Sequence, residues 1–355
     1  MRKKFPVLHR TIYANTATSG LLNEDLLEWR KEHDLDFLIG GSRAKAKTHV
    51  LLEKTRKTVA QFFNFEAEHV ALVSSFSQGL NLLLEGLDCP EKILLLKGDY
   101  PSLNWPFQSR DFSIEYVGIG EALEDRIYNT IKNKDITVFA CSAVQWRNGF
   151  KIDLVFLKRL KTDFPELLII MDATQFCGTE YFDFAVSGVD VLGSSGYKWL
   201  LAGYGNGFLM VKPEAQERFK LKSRGYGSGR NAKGQKDGRT FCKRLEPGHL
   251  DSLSFGSLKF SMRFLMEAGL RTIGRHNQEL SQYAKGNFTA LGLLEDCIVH
   301  RNTTSTIFNI GGEASYEKLV RNNVVCARRG DGTRLSFHFY NTLDEIDYII
   351  EILKK

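Results

Sequence analysis

The chain lacks most of the signals that mark metal, disulfide and membrane proteins. Its six cysteines, Cys89, Cys141, Cys177, Cys242, Cys297 and Cys326, are scattered and form no C-x-x-C. Across 355 residues such spacing reads as reduced thiols of a cytoplasmic protein, with neither a disulfide framework nor a zinc site. The eight histidines make no H-x-x-x-H pair or other ligand spacing, so no metal is expected. Apolar runs such as "ILLL" and "LLIIM" are too short to cross a bilayer, and the basic start "MRKKFPVLHR" has no signal-peptide core. No internal repeat or low-complexity tract is found. The net charge of +6 is spread along the chain, which suits small anionic ligands better than a dedicated nucleic-acid binder. The main basic cluster, from Arg224 to Arg244, is rich in glycine and reads as a mobile loop.

What is present is an alternation. A helix pattern at 48–64 leads to a strand at 69–73 and a helix in "SQGLNLLLEGL". Strands follow in "KILLL", "IEYVG", "ITVFACSAV", "LLIIMDA", "VDVLGSS" and "GFLMV", with helices after Pro101, in "EALEDRIYNTIKN" and in "DLVFLKRLKTDF". Near-continuous apolar strands separated by helices predict an α/β fold: a mostly parallel sheet covered by helices on both faces. After about Leu245 the pattern changes to a long helix over 253–285, short strands and a final helix, which predicts a smaller C-terminal α+β domain. The expected layout is an arm at 1–20, a large domain at 21–245 and a small domain at 246–355.

Three anchors stand at predicted strand ends, where parallel sheets bind ligands. In "VSSFSQGLN" a strand gives way to a helix through small hydroxyl residues, a setting for a phosphate; alone it also reads as N-capping by Ser75 or Ser77. In "LLIIMDATQ" Asp172 emerges from a buried strand, where a carboxylate needs a cation or strong donors. In "GSSGYKWLLAGYGNGF" Lys198 sits among small and aromatic residues without a nearby acid, and an enclosed lysine pairs with an anion or loses its charge. Each alone has a structural explanation. Together they fit one ligand, with a phosphate, a protonatable ring nitrogen and a carbonyl that an amine can attack. Pyridoxal 5'-phosphate has all three.

These segments resemble class V aminotransferases, a pyridoxal-phosphate family that includes cysteine desulfurases, kynureninase and isopenicillin-N epimerase-like proteins. "MDATQ" is similar to their D-x-x-Q, and "SSGYKW" to their S-x-H/Y-K lysine segment. "VSSFSQGLN" is similar to their phosphate loop, and "TRLSFHFYNTLDEID" to their C-terminal R-x-S-x-x-x-Y-N-T-x-x-E-I-D. The likeness runs from about Tyr13 to Leu353.

The resemblance implies that Lys198 forms a Schiff base with the cofactor and moves the substrate α-proton. Asp172 would pair with the ring nitrogen, Gln175 would touch the ring hydroxyl, and Tyr100 would lie over the ring. Gln145 or Trp146 would flank the ring hydroxyl. Ser75, Phe76, Ser77, Ser195 and Tyr197 would cradle the phosphate, and His249 would stand where relatives place a threonine from a second subunit. Arg334 would clamp the substrate carboxylate, with Asn15 at the substrate entrance.

The expected function is therefore a pyridoxal-phosphate enzyme acting on an amino acid, an aminotransferase first. A cysteine desulfurase, C–S lyase or epimerase is the alternative, and a catalytically silent binding protein on the same fold the third reading. Cys326 lies upstream of Arg334, but "NNVVCARRG" reads as a strand and the thiol as packed. A dinucleotide-binding protein is disfavoured, because the glycines of "GYGNG" precede a strand where G-x-G-x-x-G must follow one. The expected assembly is a homodimer, with no nucleic-acid or membrane partner.

Overall fold

The computed structural model describes residues 1–88, 90–228 and 240–355. Cys89 and residues 229–239, the middle of the basic glycine-rich segment, lie outside the described residues. After two helices, α1 (Glu24–Gly40) and α2 (Lys45–Phe62), the chain enters the main sheet at β1 (Val70–Val73). It continues through α3 (Phe76–Leu84), β2 (Lys92–Lys97), α4 (Pro101–Gln108), β3 (Ser113–Gly118) and α5 (Leu123–Lys134). Then come β4 (Val138–Ser142), α6 (Leu154–Asp163), β5 (Leu168–Asp172), β6 (Val191–Ser195) and β7 (Gly207–Val211).

These strands form one seven-stranded sheet in the order β1-β7-β6-β5-β4-β2-β3. Only β7 runs against its neighbours; the other pairings are parallel. Strands β1, β4, β5, β6 and β7 are buried at every residue, which is why they read as unbroken apolar runs. Side chains alternate between two cores. Leu94, Phe139, Ile169 and Leu192 face the core shared with α2, α5 and α6. Leu95, Ala140, Ile170 and Val191 face the core shared with α3 and α4. The expected α/β sheet is thus present, and the carboxyl ends of β1, β2, β4, β5 and β6 open on one edge.

The single helix expected over 253–285 is instead two, α7 (Ser252–Ala268) and α8 (Leu270–Ala290). Gly269 separates them at φ +85°, a left-handed position that an L side chain resists. By core packing α7 sides with the large unit: Phe255, Leu258 and Met262 are buried in the same core as β5 and β6. The C-terminal unit adds β8 (Ile307–Gly311), α9 (Glu313–Arg321), β9 (Ala327–Arg329), β10 (Gly332–Ser336) and α10 (Leu343–Lys354). Its antiparallel sheet, order β9-β10-β8, has a core built from Phe288, Phe308, Leu335 and Ile349.

"NNVVCARRG" is not one strand. Val324–Val325 pairs with Ile12–Tyr13 of the arm, and after Cys326 the chain turns to pair as β9. The arm therefore joins both units: Phe5 is fully buried in the main core, and Asn15 bridges to Ser336. Among the described residues no helix is long and apolar enough to cross a membrane.

One buried ion pair ties α2 to β1. Glu246 accepts from the Leu72 N–H at 2.7 Å and from Arg56 Nε at 3.3 Å, and its second oxygen takes Arg56 Nη2. Arg56→Met would leave the buried Glu246 carboxylate with only the longer Lys243 contact at 3.8 Å as a counter-charge, costing up to about 3–5 kcal/mol. Denaturant midpoints check this, and adding Glu246→Gln should restore part of the loss, because an amide carbonyl still accepts from Leu72 without needing a counter-charge.

Candidate active site

The strand edge carries a cavity of about 220 Å³. Asp172 is the last residue of β5 and lies in register with Ser142 at the end of β4. Lys198 follows the end of β6 by one tight turn. Ser75, Phe76, Ser77, Tyr100, Trp146, Gln175, Ser195 and Tyr197 share the cavity wall with them. Ten residues chosen from the sequence, Asp172 and Lys198 included, thus come together at one opening.

Lys198 is 5% exposed. Among the described residues its ammonium makes no hydrogen bond; it stands 5.4 Å from the Tyr100 ring centroid and 5.5 Å from that of Tyr197. Burial pushes its pKa down to about 8, the charges of Arg334 and Arg329 act the same way, and Asp172 opposes them. Burial pushes the Asp172 carboxyl up to about 6, against the Thr174 N–H that donates to Oδ1 at 2.9 Å and against the Lys198 charge. Desolvation disfavours both charged forms, so each group is held near the point of exchanging its proton.

The turn that holds the lysine is fixed by close backbone approach. Gly20 donates its N–H to the Tyr197 carbonyl at 2.8 Å, and a Cβ there would stand 1.9 Å from the Lys198 carbonyl oxygen. Only glycine lets the arm close on the lysine turn.

At the expected phosphate end, Ser75 caps α3 by accepting from the Gln78 N–H at 3.2 Å. The Phe76 N–H, expected as a free donor, instead donates to Ser195 Oγ at 2.9 Å. That bond fixes the Ser195 oxygen and leaves its hydroxyl hydrogen for an acceptor. Gln175 also has partners of its own. Its Nε2 donates to the Ala17 carbonyl at 3.0 Å and its Oε1 accepts from Trp199 at 2.7 Å, so the amide already has a partner at each end. Of the pair left open by the sequence, Trp146 is on the wall and Gln145 is not. Among the described residues Trp146 Nε1 is a buried donor with no partner, and its ring meets that of Tyr100 edge-on at 5.8 Å.

Three candidates are off the wall. Asn15 is held beside β10, with an unpartnered buried Oδ1. His249 is exposed and stacks on Tyr226 at 5.0 Å. Arg334 is 2% exposed; it donates to the Trp146 carbonyl at 2.5 Å and to Thr18 Oγ1 at 2.7 Å, while its Nε has no partner among the described residues. It sits directly behind the wall that Trp146 forms.

Sequence reasoning missed four residues of the site. Ser102, Ser142 and Thr174 are on the wall, and Thr174 Oγ1 also accepts from the Ser195 N–H at 3.2 Å. Asp99 lies beneath it, accepting from the Ser142 hydroxyl at 2.6 Å and N–H at 2.8 Å and from the Tyr100 N–H at 2.7 Å; burial raises its pKa. Each adjoins a strand end or a residue already chosen, which was the available signal.

The aminotransferase class-V family profile matches residues 38–349. A probable cysteine desulfurase of Ureaplasma parvum is 22% identical, over 87% of this chain and 83% of its own. An uncharacterised aminotransferase of Bacillus subtilis, YcbU, is 25% identical, over 99% of this chain and 95% of its own. Among solved structures, an apo cysteine desulfurase from Thermococcus onnurineus NA1 superposes with a TM-score of 0.86 at 20% identity, covering 99% of this chain and 96% of that one. A cystine C–S lyase in complex with its product cysteine persulfide superposes with a TM-score of 0.88 at 19% identity, covering 98% of each chain. A variant of that lyase holds glycine covalently linked to its PLP cofactor. The family match spans most of the described fold and the whole cavity, and the chain belongs to the class-V aminotransferase family.

Proposed function

We propose that the protein is a pyridoxal-phosphate-dependent enzyme that acts at the α-carbon of an amino acid. The observation that carries this reading is the Lys198 amine. It is buried, held near its neutral form, free of hydrogen bonds among the described residues, and in one cavity with the Asp172 carboxylate. The wall fits the cofactor chemically. Trp146 Nε1 is a donor in search of an acceptor, and the Ser195 hydroxyl hydrogen is available beside the start of α3. When bound, pyridoxal phosphate supplies an electron sink for charge developing at the α-carbon.

The residues divide the remaining work. Lys198 Nζ would hold the cofactor and, once displaced by the substrate amine, take the α-proton and return it. Its lowered pKa makes it a base near neutral pH. Asp172 would keep the ring nitrogen protonated. Tyr100 and Trp146 would bound the ring plane and exclude water from one side. Arg334 would take the substrate carboxylate, its unpartnered Nε giving it unused donor capacity.

Amino transfer is the first reading of the outcome. The second is C–S cleavage of a sulfur amino acid, favoured by the relatives named as desulfurases and the lyase. Among the described residues no cysteine lines the cavity, and burial pushes the Cys326 thiol up to about 11. The sulfur reading therefore takes its lyase form, with sulfur leaving in the product. Free buried thiols such as Cys141 and Cys177 suit a reducing cytoplasm. An amino-acid panel scored for keto acid, ammonia and released sulfur separates the readings, because C–S cleavage gives all three and amino transfer gives keto acid alone; a protein that yields none of them and shows no spectral change with any amino acid refutes both.

Capture of the cofactor needs the unprotonated Lys198 amine, so its rate should rise as pH passes through about 8 and level off above. Asp172→Asn removes the charge that favours the ammonium, so the rise should move to lower pH while turnover falls. Stopped-flow absorbance follows the capture, and borohydride reduction with peptide mapping should place the adduct on Lys198.

Arg334→Ala should keep the cofactor spectrum and weaken amino-acid binding by about 1.5–3 kcal/mol, the worth of a hydrogen bond to a charged group. Arg334→Lys should restore only part of it, because an ammonium cannot form the planar fork. Normal amino-acid titrations in the alanine variant would move the carboxylate elsewhere.

We also propose a homodimer with the cofactor near the boundary. The exposed His249–Tyr226 stack and the exposed Leu38 and Ile39 at the end of α1 support it. Sedimentation on dilution, with and without cofactor, should show dissociation and cofactor loss together; a holo monomer would refute it.

A further inference from the structure

Two arginines converge on one hydroxyl beside the cavity. Arg334 Nη2 donates to Thr18 Oγ1 at 2.7 Å, and Arg329 Nη2 approaches the same oxygen at 3.4 Å. The β9–β10 hairpin explains how they meet. Ala327 is opposite Arg334, and Arg329 is opposite Gly332. Side chains on one strand alternate between faces, so Arg329 lies on the same face as Ala327 and is a diagonal neighbour of Arg334. Arg328 points to the other face, where it pairs with Glu317 at 2.6 Å and covers the Tyr316 ring.

The two inward arginines have no such relief. Arg329 donates to the Arg328 carbonyl and Thr18, and Arg334 to the Trp146 carbonyl and Thr18. Among the described residues neither pairs with a carboxylate. The charge of Arg329 opposes that of Arg334 and helps to lower its pKa, so a purely structural role would be better met by a neutral side chain. One substrate carboxylate occupies one planar fork. A second fork on the same face is left over.

We propose that Arg329 binds a second carboxylate on the substrate side chain, so that the enzyme selects acidic amino acids. This rests on the amino-acid reading above, with Arg334 taking the α-carboxylate. Both guanidinium charges lower the Lys198 pKa, so both lie within electrostatic reach of the reacting amine. A dianionic substrate would neutralise the pair and raise the basicity of Lys198 on binding.

Titration calorimetry on the full chain, with and without pyridoxal phosphate, tests this using succinate and glutarate against propionate and butyrate. The dicarboxylates should bind roughly 10- to 100-fold more tightly, the equivalent of one charged hydrogen bond. Arg329→Gln should bring them down to the monocarboxylate level, and Arg329→Lys should fall between. Cofactor uptake reports whether each variant is folded. Equal binding of mono- and dicarboxylates by the unaltered protein overturns the proposal, and so does a preference that survives Arg329→Gln. If dicarboxylates bind as expected but no amino acid perturbs the cofactor spectrum, the anion site stands and the amino-acid reading fails. If aspartate, glutamate and alanine all react alike, the amino-acid reading stands and the Arg329 assignment fails.

Discussion

The site depends on holding an amine and a carboxylate, both buried, in one cavity without letting either settle as a permanent ion pair. Asp172 and Lys198 are both about 5% exposed, and desolvation pushes their proton affinities toward each other. Had the two been locked in a short, fully bonded pair, the lysine would be a structural cation. Instead Asp172 is engaged by the Thr174 N–H, and the lysine ammonium stands 5.4 Å and 5.5 Å from the rings of Tyr100 and Tyr197. Both groups keep capacity for a third party.

That separation is a consequence of sheet topology. Adjacent parallel strands β5 and β6 end at the same edge, so Asp172 and the lysine turn after Ser195 are neighbours although the intervening chain is long. The antiparallel β7 returns the chain from the lysine turn through the interior, where Asn206 donates to the carbonyls of Ala202 and Gly203. The arm then closes the turn from outside through Gly20 and delivers Ala17, Thr18 and Asn15 to Gln175, Arg334 and Ser336 respectively. A segment far from the lysine in sequence thus sets the position of the arginine behind the cavity.

The parallel sheet and most of the wall were legible because they depend on local pattern. Buried strands read as apolar runs, and chemistry-bearing residues at their ends stand out against them, as Asp172 does in "LLIIMDATQ". The misses have physical causes too. Helix α1 buries only Leu26 and leaves Leu35, Leu38 and Ile39 exposed, so it presents no one-sided apolar stripe to read. The break at Gly269 hides inside a helical periodicity that continues on both sides. The engagement of Phe76 by Ser195 and of Gln175 by Trp199 and Ala17 are tertiary contacts, invisible in any window of the chain. Asp99 is adjacent to Tyr100, yet its role in seating Ser142 comes from the pairing of separate strands.

Charge accounting around the cavity links these pieces. Among the described residues Lys198, Arg334 and Arg329 supply three cations around the cavity, against the carboxylates of Asp172 on the wall and Asp99 beneath it. Such an excess is unfavourable in a poorly solvated site unless the occupant is anionic. Part of the strain is already visible in the arginine itself: burial and the charge of Arg329 hold the Arg334 pKa down to about 10. The surrounding donors are biased the same way, since Trp146 Nε1 and Arg334 Nε lack acceptors. Hydroxyls at Ser75, Ser77 and Ser195 can turn toward an anion at the opposite end of the cavity. An occupant that relieves all of these at once must carry negative charge at both ends and an acceptor between them. The proposed cofactor and its amino-acid substrate would together carry that distribution, and their binding would offset the imbalance that the empty fold bears.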